Sequence, residues 1–202
     1  MKSIDRCSRA AKLLAGLTAS ALFIGVVPAV AIAGCPSYPV SQPFVQFGDT
    51  ANYTLLQGGS FESGTPGWSL TNTSVVNQNE SYKVEGGSHS LAIAANGVAV
   101  SPAFCVSTEQ PYFRLFARRT GGSWGVLNVI VRWTDQSGTT HETTSAALQS
   151  GTSWTVSPVL QLGSMLPLWE SGQTLSVKLV FKPEPYGGPF AIDDVYIDPY
   201  KR

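Results

Sequence analysis

The sequence predicts an all-β fold of antiparallel strands, closed as a sandwich or barrel, and three observations predict it. Apolar and polar residues alternate with a period of two along most of the chain after residue 34, which marks strands with one buried face. No run with a period near 3.6 exceeds a couple of helical turns. Turn-forming clusters recur at short spacing, among them Gly58-Gly59, Pro66-Gly67, Gly86-Gly87, Asp135-Gln136-Ser137-Gly138 and Gly187-Gly188-Pro189. They divide the chain into many short strands rather than into alternating strands and helices.

The elements follow in order. Residues 1 to 33 read as an export signal: Lys2, Arg6, Arg9 and Lys12 form a positive start, Leu13 to Val30 an apolar stretch, and Ala31-Ile32-Ala33 a cleavage pattern. Thr18, Ser20 and Pro28 interrupt that stretch, whereas a membrane span needs about 20 unbroken apolar residues. Residues 34 to 56 form an N-terminal arm, and residues 57 to 202 one β domain with no internal repeat or long linker. The clearest strands are 111 to 119, 126 to 133 and 174 to 182; shorter ones are expected at 53 to 56, 60 to 62, 68 to 76, 89 to 94, 98 to 100, 139 to 147, 153 to 161 and 190 to 197.

Charge narrows the function. The export segment carries four of the thirteen basic residues and one of the thirteen acidic ones, leaving nine against twelve. A mildly acidic chain lacks the Lys and Arg that neutralise phosphates, so nucleic acid is not an expected partner. Of the three cysteines, Cys7 leaves with the signal, and Cys35 and Cys105 remain to pair in an oxidising exterior. Ile32-Ala33-Gly34-Cys35 also reads as a lipobox, which would acylate Cys35, anchor the chain to a membrane and leave Cys105 a lone thiol.

Carboxylates stand at both ends of the domain, Glu62 near its start and Asp193-Asp194 near its end. If those segments lie side by side, their oxygens could surround a cation, and an oxygen-only set points to Ca²⁺. Catalysis has weaker signals. Gly121-Gly122-Ser123-Trp124-Gly125 matches G-x-S-x-G, but a strand rather than a helix follows it. His89 and His141 have no evident carboxylate to orient them, and a Glu62 and Asp194 pair keeps a hydrolase only as a distant alternative.

Gly59-Ser60-Phe61-Glu62, Gly67-Trp68, Gly87-Ser88-His89-Ser90-Leu91 and Ile192-Asp193-Asp194-Val195 together resemble the carbohydrate-binding modules of families 4 and 9, within the galactose-binding-like jelly rolls. The early Cys and the closing Asp-Asp-Val-Tyr also resemble a group of small secreted actinobacterial proteins of unknown function. The resemblance covers roughly residues 57 to 197; Gln57-Gly58-Gly59 departs from the family's usual Asn-Gly-Gly, and the arm is an addition. It implies a two-sheet antiparallel jelly-roll sandwich, and a structural calcium held by Glu62, by Asp193 or Asp194, and by carbonyls near Gly59 and Gly87. It also implies a glycan groove on the outward side of the 111 to 119, 126 to 133 and 174 to 182 strands.

Alternation puts Arg114, Phe116, Arg118, Asn128, Ile130, Arg132, Ser176, Lys178, Val180 and Lys182 on that outward side. This reads as a cationic, partly apolar platform for a polysaccharide or an anionic cell-wall polymer. Trp124 and Trp169, in loops, are candidates for stacking on sugars, with Tyr82 and Tyr186 behind them; Trp68, Trp133 and Trp154 read as core. The expectation is a secreted, monomeric, non-catalytic binding protein, with an envelope or matrix structural protein lacking a saccharide site as the alternative.

Overall fold

The computed structural model describes residues 35–107, 112–135, 137–162, 166–167 and 173–198; the expected export signal and Trp169 lie outside them. After a 3-10 turn at Val45–Phe47 the strands are β1 (Thr54–Leu55), β2 (Ser69–Val76), β3 (Ser90–Val100), β4 (Phe104–Ser107), β5 (Tyr112–Arg119), β6 (Leu127–Thr134), β7 (Thr140–Leu148), β8 (Thr155–Val156), β9 (Leu160–Gln161), β10 (Thr174–Pro183) and β11 (Phe190–Asp198). All pairings between them are antiparallel. None of the described helices is long and apolar enough to cross a membrane.

The architecture is a jelly-roll sandwich made from one curled sheet, ordered β7-β6-β10-β3-β11-β5-β8. The long strand β3 joins its two halves. Leu91 to Ile93 pair with β11, while Ala99 and Val100 pair with β10. Where two strands were expected at 89 to 94 and 98 to 100, one continuous strand passes from one half to the other. Gly97 lies between the two pairings, with the Asn72 carbonyl against it so closely that a Cβ would collide. The curl closes both halves over one core of alternating residues: Phe113, Leu115 and Ala117 from β5, Leu127, Val129 and Val131 from β6, Val177, Leu179 and Phe181 from β10, Phe190 and Ile192 from β11.

Trp68 belongs to this core, with its indole N–H donating to the Gln57 carbonyl at 3.0 Å. Trp133 packs on the core edge and stacks on His141. Residues 60 to 62 do not form a strand; they turn, with Phe61 at φ 60°. The expected strand at 153 to 161 divides into β8 and β9, two short pairings along β5.

The N-terminal arm is part of the domain. Cys35 and Cys105 are joined by a disulfide with a Cα–Cα separation of 5.4 Å, which leaves no thiol at Cys35 for acylation. In the chain-entropy account, closing a loop of this length stabilises by about 4 kcal/mol. The arm returns through a Ser41–Tyr53 bridge into β1, which pairs with β11. The Leu56 amide donates to the Val195 carbonyl at 2.9 Å and the Val195 amide to the Gly59 carbonyl at 3.1 Å, so the two ends of the domain do lie side by side.

Candidate functional site

The ten expected platform residues separate into two groups. β3 and β11 lie between β10 and β5 in the sheet order, and both arms of the sheet pack on the same core. The outward residues of β5 therefore face away from those of β6 and β10. Arg114, Phe116 and Arg118 do not share a surface with Asn128, Arg132 and Lys178, which corrects the three-strand platform. Alternation along each strand was read correctly; the order of the strands is a long-range property that alternation does not carry.

The arm covers the β5 side. Phe116 is fully buried in a second cluster with Phe44, Tyr53, Trp154, Ala191 and Tyr196, and rings of Phe44, Phe47 and Tyr82 lie within 6.0 Å of it. Arg114 is buried beneath the arm. Its Nη1 donates to Asp49 Oδ2 at 2.9 Å, its Nε and Nη2 to the Ser157 carbonyl at 3.1 and 2.7 Å, and its guanidinium lies 4.7 Å from the Phe44 ring centre. Arg118 donates to Gln78 and sits over Trp154, 5.1 Å from the ring centre. Arg114 and Phe116 are buried and out of reach of a polymer, while Arg118 is half-buried at the edge of the covered side. Asp49, Phe44 and Trp154 were legible as residues, but nothing local announces that they meet β5.

The β7-β6-β10 side is uncovered. Its outward residues form three registered rows across the strands. Lys178 pairs with Arg132 and Arg132 with Glu142; Val100 pairs with Val180, Val180 with Ile130 and Ile130 with Thr144; Lys182 pairs with Asn128 and Asn128 with Ala147. Val180 is buried and Ile130 half-buried, while Lys178 and Lys182 are exposed. Arg132 forms an ion pair with Glu142 at 2.6 Å. Lys178 and Lys182 are thus the cations of this face without an ion pair among the described residues. The face is a mildly positive strip with amide and hydroxyl groups over an apolar centre, much less cationic than the sequence implied. Trp124, 52% exposed, lies in the loop before β6 at one end of the strip.

The acidic residues gather elsewhere, at the junction of the domain's two ends. A bulge with Asp194 at φ 47° interrupts β11. It reverses the alternation, so Asp193 shares the side of Ala191 and Tyr196, while Val195 and Ile197 enter the main core. Plain alternation along residues 190 to 197 would put Asp193, Val195 and Ile197 on one side; the bulge separates them. Asp193 accepts the Glu80 amide at 3.0 Å and the Asp194 amide at 2.9 Å, and Asp194 accepts the Glu85 amide at 3.3 Å. Burial, with the charge of Asp194 added, pushes Asp193 up to about 8, and burial, with Glu80, Glu85 and Glu62 nearby, pushes Asp194 up to about 7.

Glu62 turns to the 87–89 segment, accepting the Ser88 amide at 2.9 Å, the His89 amide at 2.6 Å and contacting His89 Nδ1 at 3.0 Å. Desolvation opposes its ionisation, yet these bonds hold its carboxyl below the ordinary value. Its carboxylate occupies the space a side chain at Gly87, φ 84°, would need. Glu80 and Glu85 are the members of this cluster that sequence reasoning missed. Their signal was available: two acids in the loop that ends at Gly86-Gly87.

The donor set fits a hard dication in chemistry, with several carboxylates, surplus negative charge and an unpartnered, fully buried Ser90 hydroxyl. The pairing of Ile192 with Leu91 brings Ser90 alongside Asp193. The carboxylates as placed are directed to backbone amides, and among the described residues no three His, Cys, Asp or Glu side chains converge as a metal-holding group.

Both histidines do have carboxylate partners, contrary to expectation: His89 has Glu62, and His141 Nε2 lies 2.7 Å from Asp135. The contacts of His89 do not make a nucleophile triad. Ser88 Oγ and Glu62 approach the same His89 nitrogen, Nδ1, whereas a triad needs base and orienter on opposite ring nitrogens. The loop bearing Ser123 leads into β6 and not into a helix.

Comparison with solved structures finds the same fold in carbohydrate-binding modules. No family model matches the sequence, and no curated protein matches it. Among solved structures, the chain is similar to the CBM22-1 xylan-binding domain of Paenibacillus barcinonensis Xyn10C, with a TM-score of 0.53 at 19% identity over 71% of this chain and 93% of that one. It is also similar to the CBM22-1-GH10 modules of Clostridium thermocellum endo-1,4-beta-D-xylanase 10B complexed with xylohexaose, with a TM-score of 0.53 at 15% identity over 69% of this chain and 27% of that one. At such identities the likeness is one of fold.

Proposed function

We propose that the protein is a secreted, non-catalytic glycan-binding module that holds a polysaccharide along the uncovered β7-β6-β10 face. One observation carries this reading. In a fold shared with xylan-binding modules, one sheet face is sealed by the chain's own arm, while the other presents an apolar centre bordered by Lys178, Lys182, Asn128 and the Arg132–Glu142 pair. Hydroxyl-rich polymers suit such a surface, because amide, ammonium and guanidinium groups donate to hydroxyl oxygens while C–H faces of sugars lie on the half-exposed Ile130 and the aliphatic stems of Lys178 and Lys182. Two unpaired ammonium groups favour a neutral or sparsely anionic glycan over a densely charged wall polymer. Membership of families 4 and 9, carried by the motifs around Glu62, Trp68 and Asp193-Asp194, belongs to the same proposal.

The proposal includes a structural calcium drawing on Glu62, Asp193 or Asp194 and the Gly59 and Gly87 backbone. When bound, the ion would neutralise the acidic cluster and tie the domain's two ends together. It has no part in ligand recognition, since Glu62 and the aspartates lie at the β1–β11 junction and not on the β6–β10 strip.

Retention on immobilised polysaccharides tests the binding reading. Wild-type protein should be retained by at least one polymer in a panel of xylan, galactan, cellulose, uronic-acid-bearing xylan and phosphate-bearing wall polymer. Lys178→Ala combined with Asn128→Ala should weaken retention about tenfold, as expected for the loss of one or two hydrogen bonds to ligand. Arg118→Ala should leave it unchanged. Absence of retention on every polymer, at low and high salt, would leave the structural-protein alternative standing.

A further inference from the structure

We infer that the loop end of the sandwich carries a second saccharide subsite, beyond the sheet face, in which the Tyr186 ring forms the stacking surface; the ligand class rests on the reading above. Tyr186 is 97% exposed, the highest exposure of any large apolar side chain among the described residues. An aromatic ring left almost wholly in water contributes nothing to the core, and rings in that position are characteristic of contact surfaces.

The ring borders a cleft of about 490 Å³ that is also lined by Lys182, Asn96, Pro183 and Pro185. That size lies within the range of small-ligand sites. Its walls combine prolyl and aromatic carbon with an ammonium and an amide, the mixture that a sugar ring, apolar on its faces and hydroxylated at its rim, would match. Lys182 also ends the outward row of β10, so the cleft continues from the sheet face.

The loop is built to hold Tyr186 in place. The tyrosine sits at φ 67°, a left-handed conformation that non-glycine residues seldom adopt. Two backbone bonds clamp it from either side: the Glu184 amide donates to the Val126 carbonyl at 2.8 Å and the Gly188 amide to the Trp124 carbonyl at 2.9 Å. Gly188 lies so close to the Gly121 carbonyl that any side chain there would collide. The neighbouring loop, clamped in this way, carries the other strongly exposed aromatic side chain of this end, Trp124 at 52%. Backbone strain retained at a non-glycine residue with an exposed ring points to a presented group, since a glycine would fold there at lower cost.

Substitutions at Tyr186 in the full mature protein, measured by affinity electrophoresis against whichever polymer of the panel retains wild type, test this directly. Tyr186→Gly should weaken binding about tenfold while leaving the melting temperature unchanged or higher, because glycine relieves the left-handed backbone. Tyr186→Phe should bind within about twofold of wild type, since the ring and not the hydroxyl makes the surface. Wild-type binding in Tyr186→Gly would overturn the subsite and leave the sheet-face reading intact. Failure of wild type to bind any polymer would instead remove the reading on which the subsite rests.

Discussion

Arg114 shows how one residue can read as a ligand contact and serve as a structural anchor. Its position on the outward side of a strand was legible, but its partners were not, because Asp49 and Phe44 come from an arm more than sixty residues earlier. Removing the guanidinium takes the charge partner from the mostly buried Asp49 carboxylate, which keeps its bonds from the Tyr53 hydroxyl and the Ala51 amide. Arg114→Ala should therefore cost about 3 kcal/mol of stability, read as a lower urea midpoint, without changing glycan affinity of the folded fraction. A stable variant with impaired binding would contradict the anchoring role.

The aspartates at 193 and 194 supply a second expectation at this scale. Their folded values, about 8 and about 7, stand above the ordinary 3.8, so the folded state holds protons more tightly than the unfolded chain. Their contribution to stability is then full below about 4 and is lost as pH rises through 7 to 8. In the presence of EDTA the melting temperature should fall between about pH 4 and about pH 8 and level off above. With calcium present the fall should flatten, because the cation stabilises the ionised carboxylates. An identical pH profile with and without calcium would count against the metal.

At the scale of elements, what alternation encodes was legible and what strand order decides was not. β5, β6 and β10 were found within a residue at each end because each buries a regular set of side chains. β3 was divided in two because exposed Ala94 to Asn96 and Gly97 interrupt the pattern, although the backbone pairs on both sides of them. β4, Phe104–Ser107, was missed as too short a run to stand out. The bulge at Asp194 was equally invisible, since an extra residue changes the side of everything after it without changing composition.

The arm is the element whose removal is most informative. Cys35→Ser with Cys105→Ser should cost about 4 kcal/mol in the chain-entropy account. It should also loosen the aromatic cover over Phe116, seen as increased binding of a hydrophobic dye below the main transition. A double variant with wild-type stability and no dye binding would show that the arm holds through β1 and the Arg114–Asp49 pair alone.

For the whole molecule, the account is of a jelly roll with its two chain ends joined, one face closed by its own N-terminal segment and the other left open. The fold class, the disulfide and the adjacency of first and last segments were all readable from motifs and spacing, because each depends on chemistry stated locally: alternation, two cysteines, carboxylates near glycine turns. The open face was only half readable. Asn128, Arg132 and Lys178 do share a surface, but the Arg132–Glu142 pair removes much of its charge. The most direct measurement is an NMR titration of the protein with an oligosaccharide of the polymer that retains it, following backbone amides. The account predicts shifts concentrated at Asn128, Ile130, Arg132, Lys178, Val180 and Lys182 on β6 and β10, with Arg114, Phe116 and Arg118 on β5 unmoved; the reverse pattern, or shifts confined to the arm, would contradict it.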